Sequence, residues 1–312
     1  MKFKNIVVAG GGVLGSQIAF QTAFKGFNVK VWLRSEGSIK RAKPKFDRLE
    51  EIYLKTLEAM KTNPAAYARG LSDSKELSNE EIDTLKDRVT KAHESIQLVT
   101  SYEEAFKDAD LVIEAIAEIP EEKIEFYSEM AKYLPEDSVV VTNSSTLLPS
   151  TFANHTGRPE KYLALHFANE IWRNNTAEVM GHPGTEQKYF DQVVEFASAI
   201  GMVPLKLNKE QPGYLLNSML VPFLQSAQRL LANDVSDHET IDKTWRLATG
   251  APLGPFQILD VVGLTTAYNI SSMTPGSEDP TSESGKVLAM LKKYIDEGKT
   301  GVNAGEGFYK YK

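Results

Sequence analysis

The chain opens with a short apolar run that breaks into glycines and then continues as a predicted helix. Residues 6–9 read Ile-Val-Val-Ala, and the glycines that follow have the spacing G-x-G-x-x-G. In such a turn the first glycine makes the tight bend, the second lets the backbone approach a pyrophosphate, and the third lets helix pack on strand. The amides at the helix N-terminus then hold the phosphate charge. The sequence therefore predicts a dinucleotide site formed by Gly10, Gly12, Val13, Leu14 and Gly15.

Strand and helix patterns alternate along the first two-thirds of the chain. Strands are predicted near residues 28–33, 96–99, 111–115, 139–141, 162–165, 177–180 and 202–205. Repeated strand–helix units predict a Rossmann-type, doubly wound and mostly parallel α/β sheet. The polar, helix-favouring stretch at about 36–95 is too long for an ordinary crossover and contains a capping box at 78–81. We therefore predict a helical-hairpin insertion there.

The pattern changes near Lys209. From Tyr214 onward the apolar spacing is helical, and no strand pattern returns before the tail. This predicts a dinucleotide-binding domain at 1–209 and an all-helical C-terminal domain at 210–312. The apolar surface of the helix that follows Tyr214 is broad, which indicates a helix buried in its domain or at the interface of a homodimer.

Composition excludes several classes of function. The chain has 312 residues and a formal net charge of -7, which argues against a general partner in nucleic acid or an anionic membrane. It has no cysteine, so disulfides, thiolate catalysis and cysteine-ligated metals are ruled out, and no metal site is expected. No apolar run approaches the roughly 20 residues that a membrane span needs. Because residues 1–4 lead straight into the first strand, we expect no signal peptide and a cytoplasmic protein.

Further motifs follow the glycine turn in a fixed order. They are ADLVIEAIAE at 109–118, TNSSTL at 142–147, HFAN at 166–169, PGYLLN at 212–217, GPFQILD at 254–260 and GEGFY at 305–309. Over essentially the whole chain this set resembles the L-3-hydroxyacyl-CoA dehydrogenase (3-hydroxybutyryl-CoA dehydrogenase) family. The resemblance implies a dinucleotide-binding domain, a helical dimerisation domain and an oxidoreductase of CH–OH groups. The implied reaction interconverts an L-3-hydroxyacyl-CoA and its 3-oxoacyl-CoA by hydride transfer with a nicotinamide cofactor.

The same resemblance assigns the catalytic pair. His166 matches the catalytic histidine, and an imidazole suits proton transfer because its unperturbed pKa of about 6.5 lies near working pH. Glu178, twelve residues later, matches the carboxylate that fixes the imidazole tautomer and stabilises the imidazolium. From the residues alone, His166 could also be a histidine without a catalytic role. Glu178 could lie on an edge strand and face solvent.

Five other residues are expected around substrate and cofactor, and four of them match family positions. Ser145 and Asn217 match two substrate hydrogen-bonding residues, and uncharged donors suit an oxygen that gains negative charge. Glu118 and Lys123 match residues near the nicotinamide ribose, and Asn143 is expected to contact the cofactor. From the residues alone, Ser145 could instead cap a helix, and Asn217 could bond to nearby backbone. Lys123 could be a solvated lysine on a helix.

The end of the second predicted strand departs from the family. A ribose-binding Asp or Glu is expected about twenty residues after the glycines, whereas this chain has Leu33 followed by Arg34. An arginine can pair with a 2′-phosphate. Leu33 and Arg34 therefore favour NADP, whereas the family resemblance favours NAD. Alternatively, Arg34 stacks on the adenine or points to solvent and does not bind a 2′-phosphate.

We expect a small-molecule substrate, and the sequence leaves two classes of substrate open. Residues 170–176 read EIWRNNT in place of the family's proline and small apolar residues, and we expect this segment to border the substrate. An acyl-CoA is the leading substrate, and a free 3-hydroxy acid, as in the related L-gulonate and carnitine dehydrogenases, is the alternative. A basic cluster on the insertion would face CoA phosphates or form a solvated helix face; its members are Lys40, Arg41, Lys43, Lys45 and Arg48. A catalytically idle binding protein of structural or regulatory role is a further alternative, against which the four matching site residues argue.

Overall fold

The computed structural model describes residues 2–311. Contacts along the chain divide it into two compact units, the first ending at Leu215 and the second beginning at Leu216. Among the residues described, no helix combines the length and apolarity needed to cross a membrane. The same residues contain no group of three or more His, Asp or Glu side chains that could hold a metal ion.

The first unit is built on an eight-stranded sheet within the described residues. The strands are β1 (Asn5–Ala9), β2 (Asn28–Trp32), β3 (Gln97–Val99), β4 (Leu111–Glu114), β5 (Val139–Thr142), β6 (Tyr162–Phe167), β7 (Thr176–Gly181) and β8 (Val203–Leu207). Their order in the sheet is β3-β2-β1-β4-β5-β6-β7-β8. Neighbouring strands are parallel from β3 to β6, β7 pairs antiparallel with β6, and β8 is parallel to β7. The predicted doubly wound, mostly parallel sheet is confirmed.

Both faces of the central strands β4, β5 and β6 are buried, which explains why these strands are almost continuous apolar runs. Successive side chains of β1 alternate between two hydrophobic clusters, with Ile6 and Val8 in one and Val7 and Ala9 in the other. Helices cover both faces. Those of the first unit are α1 (Val13–Phe24), α2 (Glu36–Met60), α3 (Asn79–Ser95), α4 (Tyr102–Phe106), α5 (Pro120–Met130), α6 (Pro149–Phe152) and α7 (Gln187–Ala199).

Helices α2 and α3 form the insertion predicted at 36–95. The Ser35 hydroxyl caps α2 by accepting from the Ser38 amide, and a capping box between Ser78 and Glu81 begins α3. The two helices pack against each other and both pack against α1. Tyr53 of α2 is fully buried in the hydrophobic cluster that contains Ile6 and Val8, called the main cluster below. The insertion therefore belongs to the core of the first unit.

The second unit is helical. Its helices are α8 (Leu216–Ala232), α9 (His238–Thr249), α10 (Pro255–Val262), α11 (Leu264–Ser272) and α12 (Glu283–Asp296). They enclose a separate apolar cluster that includes Phe256, Leu291 and Phe308. The buried carboxylate of Asp260 accepts hydrogen bonds from the backbone amides of Phe308 and Tyr309 at 2.8 and 2.9 Å. The tail motif at 305–309 is thus held to α10.

Candidate active site

The glycine turn connects β1 to α1 and leaves room for a bound phosphate. Gly10 has a φ of 116°, and a Cβ on it would collide with the carbonyl of Ala115. A Cβ on Gly15 would collide with the carbonyl of Gly10, whereas nothing lies within 4 Å of the corresponding position on Gly12. Gly12 is the N-cap of α1, and Val13 begins the helix. The turn therefore fits a dinucleotide pyrophosphate, with open space at Gly12 and helix amides beside it.

A pocket beside this turn has a basic lining at the end of β2. Leu33 is only 4% exposed and packs against the turn, whereas Arg34 is exposed and forms an ion pair with Glu122 at 3.4 Å. Arg41 and Lys45 line the same pocket, and the Lys45 ammonium donates to the Gly11 carbonyl at 2.7 Å. Two members of the basic cluster thus border the glycine turn.

His166 and Glu178 face each other across the β6–β7 pair. They are direct register partners, and opposed residues of antiparallel strands place their side chains on the same face. His166 Nδ1 lies 3.0 Å from Glu178 Oε2, and the residues are 7% and 4% exposed. The alternative of a solvent-facing Glu178 is excluded.

Ser145 completes a hydrogen-bonded chain of three side chains. Its Oγ lies 3.1 Å from His166 Nε2. Because a carboxylate only accepts hydrogen bonds, Nδ1 carries the proton toward Glu178, and in the neutral ring Nε2 accepts from the Ser145 hydroxyl. The next helix, α6, has Leu148 as its N-cap, so Ser145 is not a helix cap. Nε2 is therefore the atom positioned to exchange a proton.

Glu118 and Asn143 hold the segments that carry these residues. The Glu118 carboxylate accepts from the Ser145 amide at 3.0 Å and from the Ser144 hydroxyl at 2.8 Å. Asn143 is buried, and its Oδ1 accepts from the Phe167 amide at 3.1 Å. Glu118 thus holds Ser144 and Ser145, which follow β5. Asn143 links the end of β5 to the end of β6, next to His166.

Lys123 is buried inside the first unit and is not a solvated lysine. It is 1% exposed, and its ammonium lies 2.6 Å from Glu114 Oε1 and 3.6 Å from Glu118 Oε2. Glu114 is fully buried and also accepts from the hydroxyls of Tyr127 and Thr142, both at 2.7 Å. Burial, followed by the charge of Glu114, raises the pKa of Tyr127 well above its ordinary value. Lys123 therefore links a buried carboxylate to the residue that orders Ser145.

Two residues of this site were missed by sequence reasoning. Glu114 could have been found as an acidic residue in an otherwise apolar strand, because a buried carboxylate requires partners. Tyr214 stacks on the imidazole of His166, with ring centroids 4.4 Å apart and an interplanar angle of 14°. Nothing in local sequence periodicity predicts a stack between residues so far apart in the chain.

Two residues of the 170–176 segment, which we expect to border the substrate, pack inside the first unit. Ile171 and Trp172 are buried in the main cluster, and the Trp172 ring lies 5.5 Å from that of Tyr53. The Gly70 amide donates to the Trp172 carbonyl at 2.9 Å. These two positions therefore pack against the helical insertion, which explains their large apolar side chains without reference to a substrate.

Asn217 lies in the second unit, on the first turn of α8. The structure brings Ser145, His166 and Glu178 together within the first unit, with Glu118 and Asn143 beside them. The substrate-binding role of Asn217 stays a prediction.

Comparison with known proteins covers the whole chain. Residues 5–211 match the family described as 3-hydroxyacyl-CoA dehydrogenase, NAD binding domain, and residues 213–311 match its C-terminal domain. Mitochondrial hydroxyacyl-coenzyme A dehydrogenase of Homo sapiens is 32% identical over 311 residues, covering 99% of this chain and 91% of that protein.

Two solved structures are also similar. A diketoreductase studied in the catalysis of dicarbonyl compounds is 46% identical, with a TM-score of 0.86 and complete coverage of both chains. FadB2 of M. tuberculosis is 25% identical, with a TM-score of 0.79 and 99% coverage of each chain. With the proton-transfer geometry in its first unit and family matches on both sides of residue 212, the chain belongs to the 3-hydroxyacyl-CoA dehydrogenase family and is an oxidoreductase that acts on a CH–OH group with a nicotinamide dinucleotide.

Proposed function

We propose that the protein interconverts an L-3-hydroxyacyl-CoA and the corresponding 3-oxoacyl-CoA. The observation that carries this proposal is the chain of hydrogen bonds from Ser145 through His166 to Glu178. Such a chain is suited to moving one proton at an oxygen while a hydride moves at the attached carbon. The bound dinucleotide supplies the hydride acceptor for oxidation and the donor for reduction.

In the oxidation direction, Nε2 of His166 takes the proton of the substrate hydroxyl. The imidazolium that results is stabilised by Glu178, whose Oε2 already lies 3.0 Å from Nδ1. Ser145 donates a hydrogen bond from its hydroxyl to the substrate oxygen. Reduction reverses these steps, and the His166 imidazolium then returns its proton to the carbonyl oxygen.

A free hydroxy or oxo acid is the second candidate substrate. The diketoreductase, which acts on dicarbonyl compounds, is 46% identical to this chain over its full length, compared with 32% for the human acyl-CoA enzyme. Acyl-CoA and free acid share the carbon that is oxidised, so the site chemistry is the same in both proposals. They differ only in what lies beyond that carbon.

Steady-state turnover of acetoacetyl-CoA and of free acetoacetate, each with NADH and with NADPH, tests the choice of substrate. The thioester proposal expects a kcat/KM for acetoacetyl-CoA at least tenfold above that for acetoacetate. A reversed ratio would establish the free-acid alternative. Absence of turnover with every pair would refute the proposed reaction.

We also propose that the cofactor site accepts NADP(H). Leu33 occupies the strand end where a carboxylate would repel a 2′-phosphate, and it is buried. Arg34, Arg41 and Lys45 line the pocket beside the glycine turn. Within the described part of the chain, the Arg34 guanidinium forms an exposed ion pair with Glu122, and exposed pairs of this kind are weak. A 2′-phosphate can therefore compete for the guanidinium.

A homodimer is proposed from the surface of the second unit. Met219, Leu247, Val261 and Met273 are large apolar side chains that are each more than 60% exposed. Exposed large apolar side chains on one unit are consistent with a protein interface when they adjoin one another. Light scattering coupled to size-exclusion chromatography is expected to give twice the 34.6 kDa chain mass, and a monomer at micromolar concentration would contradict the proposal.

A further inference from the structure

Tyr214 contacts two parts of the proton-transfer site with one side chain. Its ring lies nearly parallel to the His166 imidazole, at an interplanar angle of 14° and a centroid distance of 4.4 Å. Its hydroxyl donates to the Ser144 carbonyl at 2.7 Å, directly before Ser145 in the chain. Tyr214 is 1% exposed. The side chain therefore packs on the base and holds the segment that carries the serine.

The backbone around Tyr214 has an unusual conformation. Tyr214 has a φ of 55°, which is rarely adopted by a bulky residue, and it follows Gly213 at 77°. Residues held in sparsely populated conformations cluster at active sites, where the surrounding structure maintains them. The next residue, Leu215, donates its amide to Glu178 Oε1 at 2.8 Å. The turn thus directs a ring at His166 and an amide at Glu178.

We propose that residues 213–215 form a clamp segment in which Tyr214 is a positioning residue for His166. The stacked ring fixes the plane of the imidazole, and the Leu215 amide binds one carboxylate oxygen of Glu178 while the other stays on Nδ1. The tyrosine hydroxyl holds the Ser144 carbonyl, which keeps the Ser145 hydroxyl opposite Nε2. This inference rests on the proposed role of His166 as the group that exchanges the proton.

The electrostatics of the clamp segment agree with this role. Burial, followed by the charges of Glu118 and Glu178, raises the pKa of Tyr214. The phenol therefore stays protonated across the working range and remains a hydrogen-bond donor. An aromatic face against a histidine ring also stabilises the cationic form of the ring, which is the form that His166 takes when it holds the substrate proton.

Two substitutions separate the ring from the hydroxyl. Tyr214→Phe keeps the stacked face and loses the bond to Ser144, so we expect kcat to fall by about two- to tenfold, as for one neutral hydrogen bond. Tyr214→Leu removes the aromatic face as well, and we expect kcat to fall by about 100-fold because the base is no longer held in its productive orientation. The KM for the dinucleotide should stay within about twofold, because the glycine turn is unchanged.

The controls distinguish positioning from a loss of packing. Tyr189→Leu removes another buried tyrosine of the first unit, on α7, and should leave kcat near the wild-type value. Thermal unfolding of each variant verifies that it is folded. A folded Tyr214→Leu variant with kcat within about threefold of wild type would overturn the proposal.

A double-mutant cycle with His166→Gln completes the test. If Tyr214 acts through His166, then Tyr214→Leu should lower the residual rate of His166→Gln by less than about threefold. Independent, additive losses would show that Tyr214 does not act through the histidine. If His166→Gln alone keeps near-native turnover, the proposed proton-transfer role fails first, and this outcome is distinguishable from failure of the clamp segment.

Discussion

His166 and Glu178 are register partners in the antiparallel pair β6–β7, with Nδ1 and Oε2 3.0 Å apart. The strand pairing itself sets this distance, because neither side chain needs a loop to bring it to the other. Sites built on strands are more precise than sites built on loops. The pair proposed for catalysis is therefore as rigid as the sheet that carries it.

Replacing His166 with Gln is expected to lower kcat by about two to four orders of magnitude. Glutamine has similar bulk but does not titrate near neutrality, so the general acid/base contribution is lost. The dissociation constant of the dinucleotide should change little, because its phosphates are expected at the glycine turn. The measurement is turnover on the best substrate together with cofactor titration by fluorescence, and near-native turnover would contradict the assignment of His166.

The Glu178→Gln substitution should lower kcat strongly while the fold remains intact. The amide keeps the shape of the carboxylate but no longer stabilises the imidazolium. Because both residues act as one unit, the losses for Glu178→Gln and His166→Gln should be far from additive. A cycle of the two single variants and the double variant gives this coupling, and additive losses would place Glu178 outside the catalytic unit.

The cofactor proposal predicts that Leu33→Asp combined with Arg34→Gln shifts the preference toward NAD(H). A charge-assisted contact contributes roughly 1.5–3 kcal/mol, or about ten- to a hundredfold in affinity. Dissociation constants for NADH and NADPH on wild type and on the double variant measure this shift. A strong wild-type preference for NADH that the double substitution leaves unchanged would show that Arg34 does not read a 2′-phosphate.

The buried pair of Lys123 and Glu114 should be essential for stability. The Lys123→Met substitution leaves the fully buried Glu114 carboxylate without its ammonium partner, and removing one partner of a buried pair costs about 3–5 kcal/mol. Urea unfolding measures this loss. Addition of Glu114→Gln should recover part of it, because the uncompensated charge is gone.

The matched control is Lys55→Met. Lys55 forms an exposed ion pair with Glu51 within α2, and exposed pairs contribute little. An equally small effect for Lys123→Met and Lys55→Met would show that the buried pair does not stabilise the first unit.

Stability should fall at alkaline pH because of buried tyrosines. Burial raises the pKa of Tyr127 and of Tyr162 in the folded protein well above the ordinary value of about 10. Below pH about 10 both states keep these protons, so the stabilising contribution is complete. Above it the unfolded chain releases protons that the fold retains, and the free energy of unfolding falls by about 1.4 kcal/mol per pH unit for each tyrosine.

Urea unfolding between pH 8 and pH 11 checks this dependence. Tyr162→Phe removes one of the two groups and should give a shallower decline than wild type. Identical slopes for the two proteins would contradict the assignment. A control at pH 7 gives the cost of the lost hydrogen bond between Tyr162 and Tyr127, whose oxygens lie 2.9 Å apart.

Local patterns in the sequence predicted most of the fold of the first unit. The run from Ile6 to Gly15 carries strand, turn and helix within ten residues, and a Cβ on Gly10 or Gly15 would collide with backbone, as the turn motif predicts. The capping box at Ser78 likewise begins a helix where it was predicted. These features depend on interactions between near neighbours in the chain, so the sequence alone determines them. His166 and Glu178 were identified because their motifs resemble those of a known family.

Only the tertiary structure decided what surrounds these elements. The spacing of apolar residues predicts that a helix has an apolar face. The order of the strands in the sheet decides which side chains pack against that face. In the sequence alone Lys123 could be a solvated lysine, but in the fold β4 places Glu114 in contact with its ammonium. The sequence alone gives no partner for Trp172, whereas the fold places it against Tyr53 and Gly70 of the insertion. Tyr214 and His166 are 48 positions apart in the chain, and they stack because the segment after β8 turns back over β6, a long-range contact that no local pattern encodes.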